Sequence, residues 1–232
     1  MSRLPLKTQR QILALREQNG WGRKAVADEL GVTEKQVRGV FEKHDGQPTG
    51  ITVPFRVLVW DLETSDFKSD IGVLGVAAFL DLATGKVVAK NWNDFDGTTE
   101  EQELGLARWT AGMYASASAL VGHNSLGFDA AFLRGVLQRH GEPPLPKRIH
   151  FDTMQTAMHG GKWRCGYSLE NLLDFFGLPL AKDHPSKHDW RRYIAGDPEA
   201  RERITARCVE DVKGQALLWG RLEATFMDWK GR

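Results

Sequence analysis

The chain has 232 residues, 41% of them hydrophobic and 26% charged, and a net charge of +1. That composition suits one sizeable core with a small accessory domain, and no apolar run approaches the ~20 residues that span a bilayer. The two cysteines, Cys165 and Cys208, are in no zinc-like spacing, and the opening MSRLPLKTQRQI lacks the apolar centre of a signal peptide, so a reduced, cytoplasmic setting is expected.

The first 50 residues carry nine Lys and Arg against six Asp and Glu, while the remainder carries 22 against 24. Over 8–44 the pattern predicts three short helices and no strand. TQRQILALREQ puts Ile12, Leu13 and Leu15 on one face. RKAVADEL follows, and after Gly31 the stretch TEKQVRGVFEKH opens on Thr33 and Gln36, spaced as a capping box. The stretch resembles a helix-turn-helix, with Ala27 as the small residue, Gly31 as the turn glycine, and Val37 and Val40 as core apolars. The resemblance implies that the third helix enters a DNA major groove and turns Lys35, Gln36 and Arg38 toward base edges. The alternative is a three-helix module that holds a protein partner. Residues 1–46 are thus expected to form a helix-turn-helix domain. The Gly- and Pro-rich 47–54 reads as a linker and 55–232 as a second domain.

From residue 55 strands and helices mix. PFRVLVWDLET predicts a buried strand. GVLGVAAFLDL and KVVAKNWNDF predict a hairpin turning at Ala83-Thr84-Gly85-Lys86. A helix follows over TEEQELGLARWTAGMYAS with Thr98 or Thr99 as its cap. SALVGHN is a short strand leading to the helix FDAAFLRGVLQRHG, and RIHFDTM a further strand. SLENLLDFFG is a helix bounded by Ser168 and Gly177, and a long helix runs from about Pro198 to about Trp229. Hairpin first and strand–helix alternation later predict an α/β fold, a mixed sheet with helices packed on it.

Four acids stand out. The first strand ends on Asp61-Leu62-Glu63; at period 2 the two carboxylates share a face, and two adjacent anions at the rim of a core call for a cation. Asp129 follows a strand at a helix start, where the dipole favours an acid. Asp211 borders the apolar stripe Ile204, Cys208, Val212 and Leu218 of the last helix. Singly, each reads equally well as a structural or surface residue. Together with their flanks, VWDLET, Asn124-Ser-Leu-Gly-Phe128-Asp129 and Cys208-Val-Glu-Asp211-Val, they resemble the three ordered motifs of the DEDD superfamily of 3′→5′ exonucleases. That superfamily is the DnaQ-like branch of the ribonuclease H fold, and the likeness covers about residues 55–225.

The resemblance implies a ribonuclease H-like five-stranded sheet and two Mg²⁺ or Mn²⁺ ions held by Asp61, Glu63, Asp129 and Asp211. It also implies a terminal nucleotide shaped by Asn124 and Phe128, with the main chain at Leu62 and Thr64 meeting its sugar. The partner is a nucleic acid, DNA favoured and RNA possible, with no membrane. One branch of the superfamily has His five residues before the last Asp and the other Tyr four before. Here those positions are Ala206 and Arg207, and the surroundings are nearer the tyrosine branch. Arg207 stays protonated and cannot be a base. Three readings stand open: it binds phosphate or transition-state charge, His184 or His188 of the preceding loop KDHPSKHDW supplies the base, or it only pairs with Asp211 and activity is low. Asp152 reads as structural; GGKWRCGY and WRRY are candidates for a strand-binding groove, with Trp163 and Trp190 either in the groove or in the core. The rivals to an exonuclease are an endonuclease on the same fold and a non-catalytic nucleic-acid-binding regulator.

Overall fold

The computed structural model describes residues 4–19, 22–45, 55–162, 164–179 and 185–230. The chain divides into two compact units, Met1–Pro54 and Phe55–Arg232. The expected linker, 47–54, lies outside the described residues.

The first unit holds α1 (Leu6–Asn19), α2 (Arg23–Leu30) and α3 (Glu34–Asp45). Ile12, Val26, Ala27, Val37, Val40 and Phe41 are its buried core. Gly31 ends α2 in the left-handed region at φ 63°, a conformation open to glycine at little cost, and its N–H returns to the Ala27 carbonyl. The capping box forms: Gln36 N–H donates to Thr33 Oγ1 at 3.2 Å, and Gln36 Oε1 accepts from Thr33 N–H at 3.0 Å.

The second unit is a mixed five-stranded sheet, order β3-β2-β1-β4-β5. Its strands are β1 (Val57–Thr64), β2 (Leu74–Asp81), β3 (Val87–Asn91), β4 (Ala119–Gly122) and β5 (Ile149–Asp152). β2 runs antiparallel to both of its neighbours, β1 and β3, while β4 and β5 are parallel to β1. The α/β fold and the mixed sheet expected from the sequence are both present. β1 lies at the centre, and its C-terminal end emerges between neighbours of opposite sense.

Trp60 stacks on Phe79 of β2 at 6.1 Å and meets Tyr114 of α4 (Thr99–Ser116) edge-on at 5.5 Å. The neighbouring Asp61 points the other way, toward α9 (Pro198–Lys230). Helices α4 and α9 therefore cover opposite faces. Ile204, Cys208, Val212 and Leu218 of α9 are all fully buried, as their stripe predicts. Thr98 caps α4 through a box with Glu101, and α5 (Asp129–Arg139) follows β4. Ser168 caps α7 (Leu169–Phe175).

Two helices depart from the sequence reading. The strand expected over RIHFDTM stops at Asp152, whose side chain caps α6 (Thr153–Gly160) by accepting from Met154 and Gln155 N–H. The stretch read as a loop around His188 is α8 (Lys187–Ile194), opened by a Ser186–Asp189 capping box. Its Tyr193 hydroxyl donates to the Gly75 carbonyl at 2.6 Å, and Trp190 packs on Tyr193. The strand expected through NWNDF gives way to a 3-10 turn at Trp92–Asp94.

Candidate active site

The end of β1 and one stripe of α9 build the site. Asp61 and Glu63 face α9 while buried Leu62 faces away. On α9, Cys208, Asp211 and Gln215 succeed one another at i, i+3 and i+7, the spacing that keeps side chains on one side of a helix. Gln215 Nε2 donates to Asp61 Oδ1 at 2.8 Å, and Cys208 Sγ donates to the Asp61 carbonyl at 3.4 Å. One carboxylate oxygen from each of Asp61, Glu63 and Asp211 lies within 4.8 Å of the other two.

Asp129, the first residue of α5, is buried, and its Oδ1 accepts from Leu62 N–H at 2.9 Å. It is not one of the three grouped carboxylates, yet its charge acts on Asp61.

Crowding of anions shows in their proton affinities. Burial holds the Asp61 carboxyl well above the usual range. The charges of Asp129, Asp211 and Glu63 push the same way, and the Gln215 hydrogen bond opposes them. Glu63 is pushed up to about 8 by burial and by Asp211, with Arg207 pulling it back. Burial raises Asp129 to about 7 against the hydrogen bond from Leu62. Carboxylates this reluctant to ionise alone are stabilised as anions by an added cation. An all-carboxylate oxygen donor set fits hard divalent ions such as Mg²⁺ or Mn²⁺.

One cation is already there. Arg207 Nε lies 2.9 Å from Asp211 Oδ2 and its Nη2 lies 3.6 Å from Glu170 Oε1 on α7, with the side chain only 12% exposed. Ala206, the neighbouring position, is exposed and carries no titratable group. His188 is an exposed residue of α8 rather than of a loop, and His184 lies outside the described residues.

The other expected residues fall as follows. Asn124 adopts φ 57°, which aims its N–H at Asp152 Oδ1 (3.1 Å) and its carbonyl at Phe128 N–H (2.9 Å). Phe128 is half-buried, and its ring meets Phe67 edge-on at 5.9 Å. Thr64 Oγ1 donates to the Asp66 carbonyl at 2.8 Å. Asp152 is structural, accepting from three backbone N–H groups. On α3, Lys35 and Arg38 are exposed, Arg38 lies 3.5 Å from Glu42, and the Gln36 side-chain oxygen Oε1 accepts from Thr33 in the capping box.

In the WRRY stretch Trp190 and Tyr193 lie against one another, Arg192 binds Asp197 and Glu199, and Arg191 is exposed. Lys162 and Arg164 are exposed, and Trp163 lies outside the described residues. Sequence reasoning missed Gln215, though its place on the Cys208–Asp211 stripe was a usable signal. It also missed Phe67, 86% exposed in the β1–β2 loop, for which no periodicity could have spoken.

A carboxylate cluster at the end of the central strand of a mixed sheet, closed by a C-terminal helix, defines a ribonuclease H-like fold with a candidate metal centre. No family model matches the chain, and no curated protein matches its sequence. Among solved structures it is similar to the family B DNA polymerase from the hyperthermophilic archaeon Pyrobaculum calidifontis, with a TM-score of 0.59 and 18% identity. The match covers 73% of this chain and 24% of the polymerase, so the chain spans about a quarter of the protein it matches. This likeness is one of fold.

Proposed function

We propose that the chain is a metal-dependent nuclease that hydrolyses phosphodiester bonds from the 3′ end of a nucleic acid, DNA in preference to RNA. The observation that carries the reading is the convergence of Asp61 and Glu63 of a strand with Asp211 of a helix, 148 residues beyond Glu63, onto one small volume. The resemblance to the ordered motifs of the DEDD exonucleases supports it, as does the likeness in fold to part of a DNA polymerase.

In this reading Asp61, Glu63 and Asp211 would hold one Mg²⁺ or Mn²⁺ and Asp129, with Asp61, a second. Two such ions, when bound, sharpen water as a nucleophile and offset charge on the attacking and leaving oxygens. The chain's own residues do the positioning. Gln215 fixes the orientation of Asp61 through Oδ1. Asp129 ties the Leu62 main chain to the start of α5. Asn124 and Phe128, with Phe67 beside them, would meet the terminal nucleotide. Arg207 stays protonated, so its contribution is charge and not proton transfer. Lys35, Gln36 and Arg38 of the three-helix unit would deliver the enzyme to duplex DNA.

The Arg207–Asp211 ion pair favours a second reading, a nucleic-acid-binding regulator in which the pair quenches the site. One assay separates the two. Labelled single- and double-stranded DNA and RNA are offered with Mg²⁺ or Mn²⁺, beside circular single-stranded DNA. Shortening from the 3′ end, resistance of the circle, and a loss of at least ~100-fold in Asp61→Ala and Glu63→Ala are expected. Undiminished activity in both variants overturns the site, and tight binding without products points to the regulator.

A further inference from the structure

Arg207 stands four residues before Asp211, the sequence position at which the resembled tyrosine branch has Tyr, and three observations bear on what it does. Its Nε holds Asp211, one of the three grouped carboxylates, at 2.9 Å. Its Nη2 has a second anion in reach, Glu170 at 3.6 Å. Its Nη1 is buried and meets no acceptor among the described residues. A cleft of about 170 Å³ opens beside the pair, lined by Arg207, Asp211, Glu170, Lys213 and Leu217 among others.

A buried donor with no acceptor is costly, and that cost is relieved when the guanidinium turns toward an acceptor held in the cleft that Arg207 lines. Phosphate oxygens are a strong match for a guanidinium, which can present two parallel N–H groups. Asp211 meanwhile is shared. While it neutralises Arg207, it offers less charge to a divalent ion, and the guanidinium repels that ion directly.

We propose that Arg207 is the resident counter-cation of the carboxylate cluster: it competes with a divalent metal for Asp211 and, once the metal is loaded, turns to a substrate phosphodiester, so that metal and phosphate bind cooperatively through this one residue. The proposal rests on the nuclease reading and deepens it. Metal-free, the site is guarded against scavenging ions. With both ligands present, each relieves a cost that the other would meet alone, and the coupling is reciprocal.

Mn²⁺ affinity of the full chain, read by electron paramagnetic resonance at fixed ionic strength, tests this without recourse to activity. Removing a unit charge a few ångströms from the ion is worth at least a tenfold change in affinity. Arg207→Met is therefore expected to bind Mn²⁺ roughly tenfold more tightly than the unaltered protein, and Arg207→Lys to stay near it. Thymidine 5′-monophosphate, as the phosphate-bearing probe, should tighten Mn²⁺ binding more in the unaltered protein than in Arg207→Met. Arg207→Gln is the second neutral variant should Arg207→Met fold poorly, with folding checked by circular dichroism. Equal or weaker Mn²⁺ binding by both neutral variants overturns the role of Arg207 while leaving the nuclease reading intact, provided Asp61→Asn abolishes binding. Mn²⁺ binding that survives Asp61→Asn, or none in the unaltered protein, defeats the nuclease reading and the proposal with it.

Discussion

Asp61 is a strongly constrained carboxylate, because burial and three anions press on it and one amide relieves it. Gln215 is that relief, a buried side chain whose Nε2 reaches Asp61 at 2.8 Å. A hydrogen bond to a charged group contributes about 1.5–3 kcal/mol. Gln215→Met keeps the shape and removes the donor, so the Asp61 carboxyl should hold its proton more tightly and Mn²⁺ affinity should fall about tenfold at pH 7. Calorimetric titration with Mn²⁺ checks this, and an unchanged affinity would show that Gln215 is only packing.

Asp61, Glu63, Asp129 and Asp211 were all visible in the sequence, because each stands next to a pattern that local physics dictates: a strand end, a helix start, an apolar stripe. Gln215 and Glu170 were not. A neutral amide on a helix carries no pattern of its own, and Glu170 gains meaning only when the fold brings α7 beside α9.

At the scale of elements, the long helices and the hairpin were legible from periodicity and turn residues. The misses, α6 and α8, share a cause. α6 starts one residue after β5 ends, so its Asp152 cap looked like more strand. α8 is short and mostly polar, and it is fixed by non-local packing of Trp190 and Tyr193 against β2 and Trp92. A Cβ built on Gly75 would lie 2.7 Å from the Trp190 ring. Gly75→Ala should therefore push α8 off β2 and lower unfolding free energy by about 1–3 kcal/mol, the range for overpacking. Urea unfolding followed by tryptophan fluorescence measures it. A variant as stable as the parent would mean that Trp190 is not a wedge here.

At the scale of the whole molecule, the carboxylate cluster sets how stability depends on pH. Without metal, Glu63 at about 8 and Asp129 at about 7 keep protons that the unfolded chain releases near 4. Between those values the folded state binds more protons than the unfolded one, so stability falls as pH rises. Asp81, Asp189 and Asp197, held below the usual range by arginine and hydroxyl or amide partners, work in the opposite sense and cost stability only below about pH 4. The metal-free melting temperature should peak near pH 4–5 and decline toward pH 8. Mn²⁺ should restore the loss, more at pH 8 than at pH 6, because it stabilises the ionised carboxylates. Thermal melts across that range, with and without Mn²⁺, are the check; a metal-free profile flat from pH 5 to 8 would contradict it.

The proposed site requires that the end of β1 and the long helix α9 share one divalent ion. Crystals of the full chain soaked in manganese chloride, with data collected where manganese scatters anomalously, answer this directly. The expected result is a peak about 2.1–2.2 Å from an oxygen of each of Asp61, Glu63 and Asp211. Manganese bound elsewhere, with Asp211 still closed on Arg207 and Glu63 facing solvent, would contradict it.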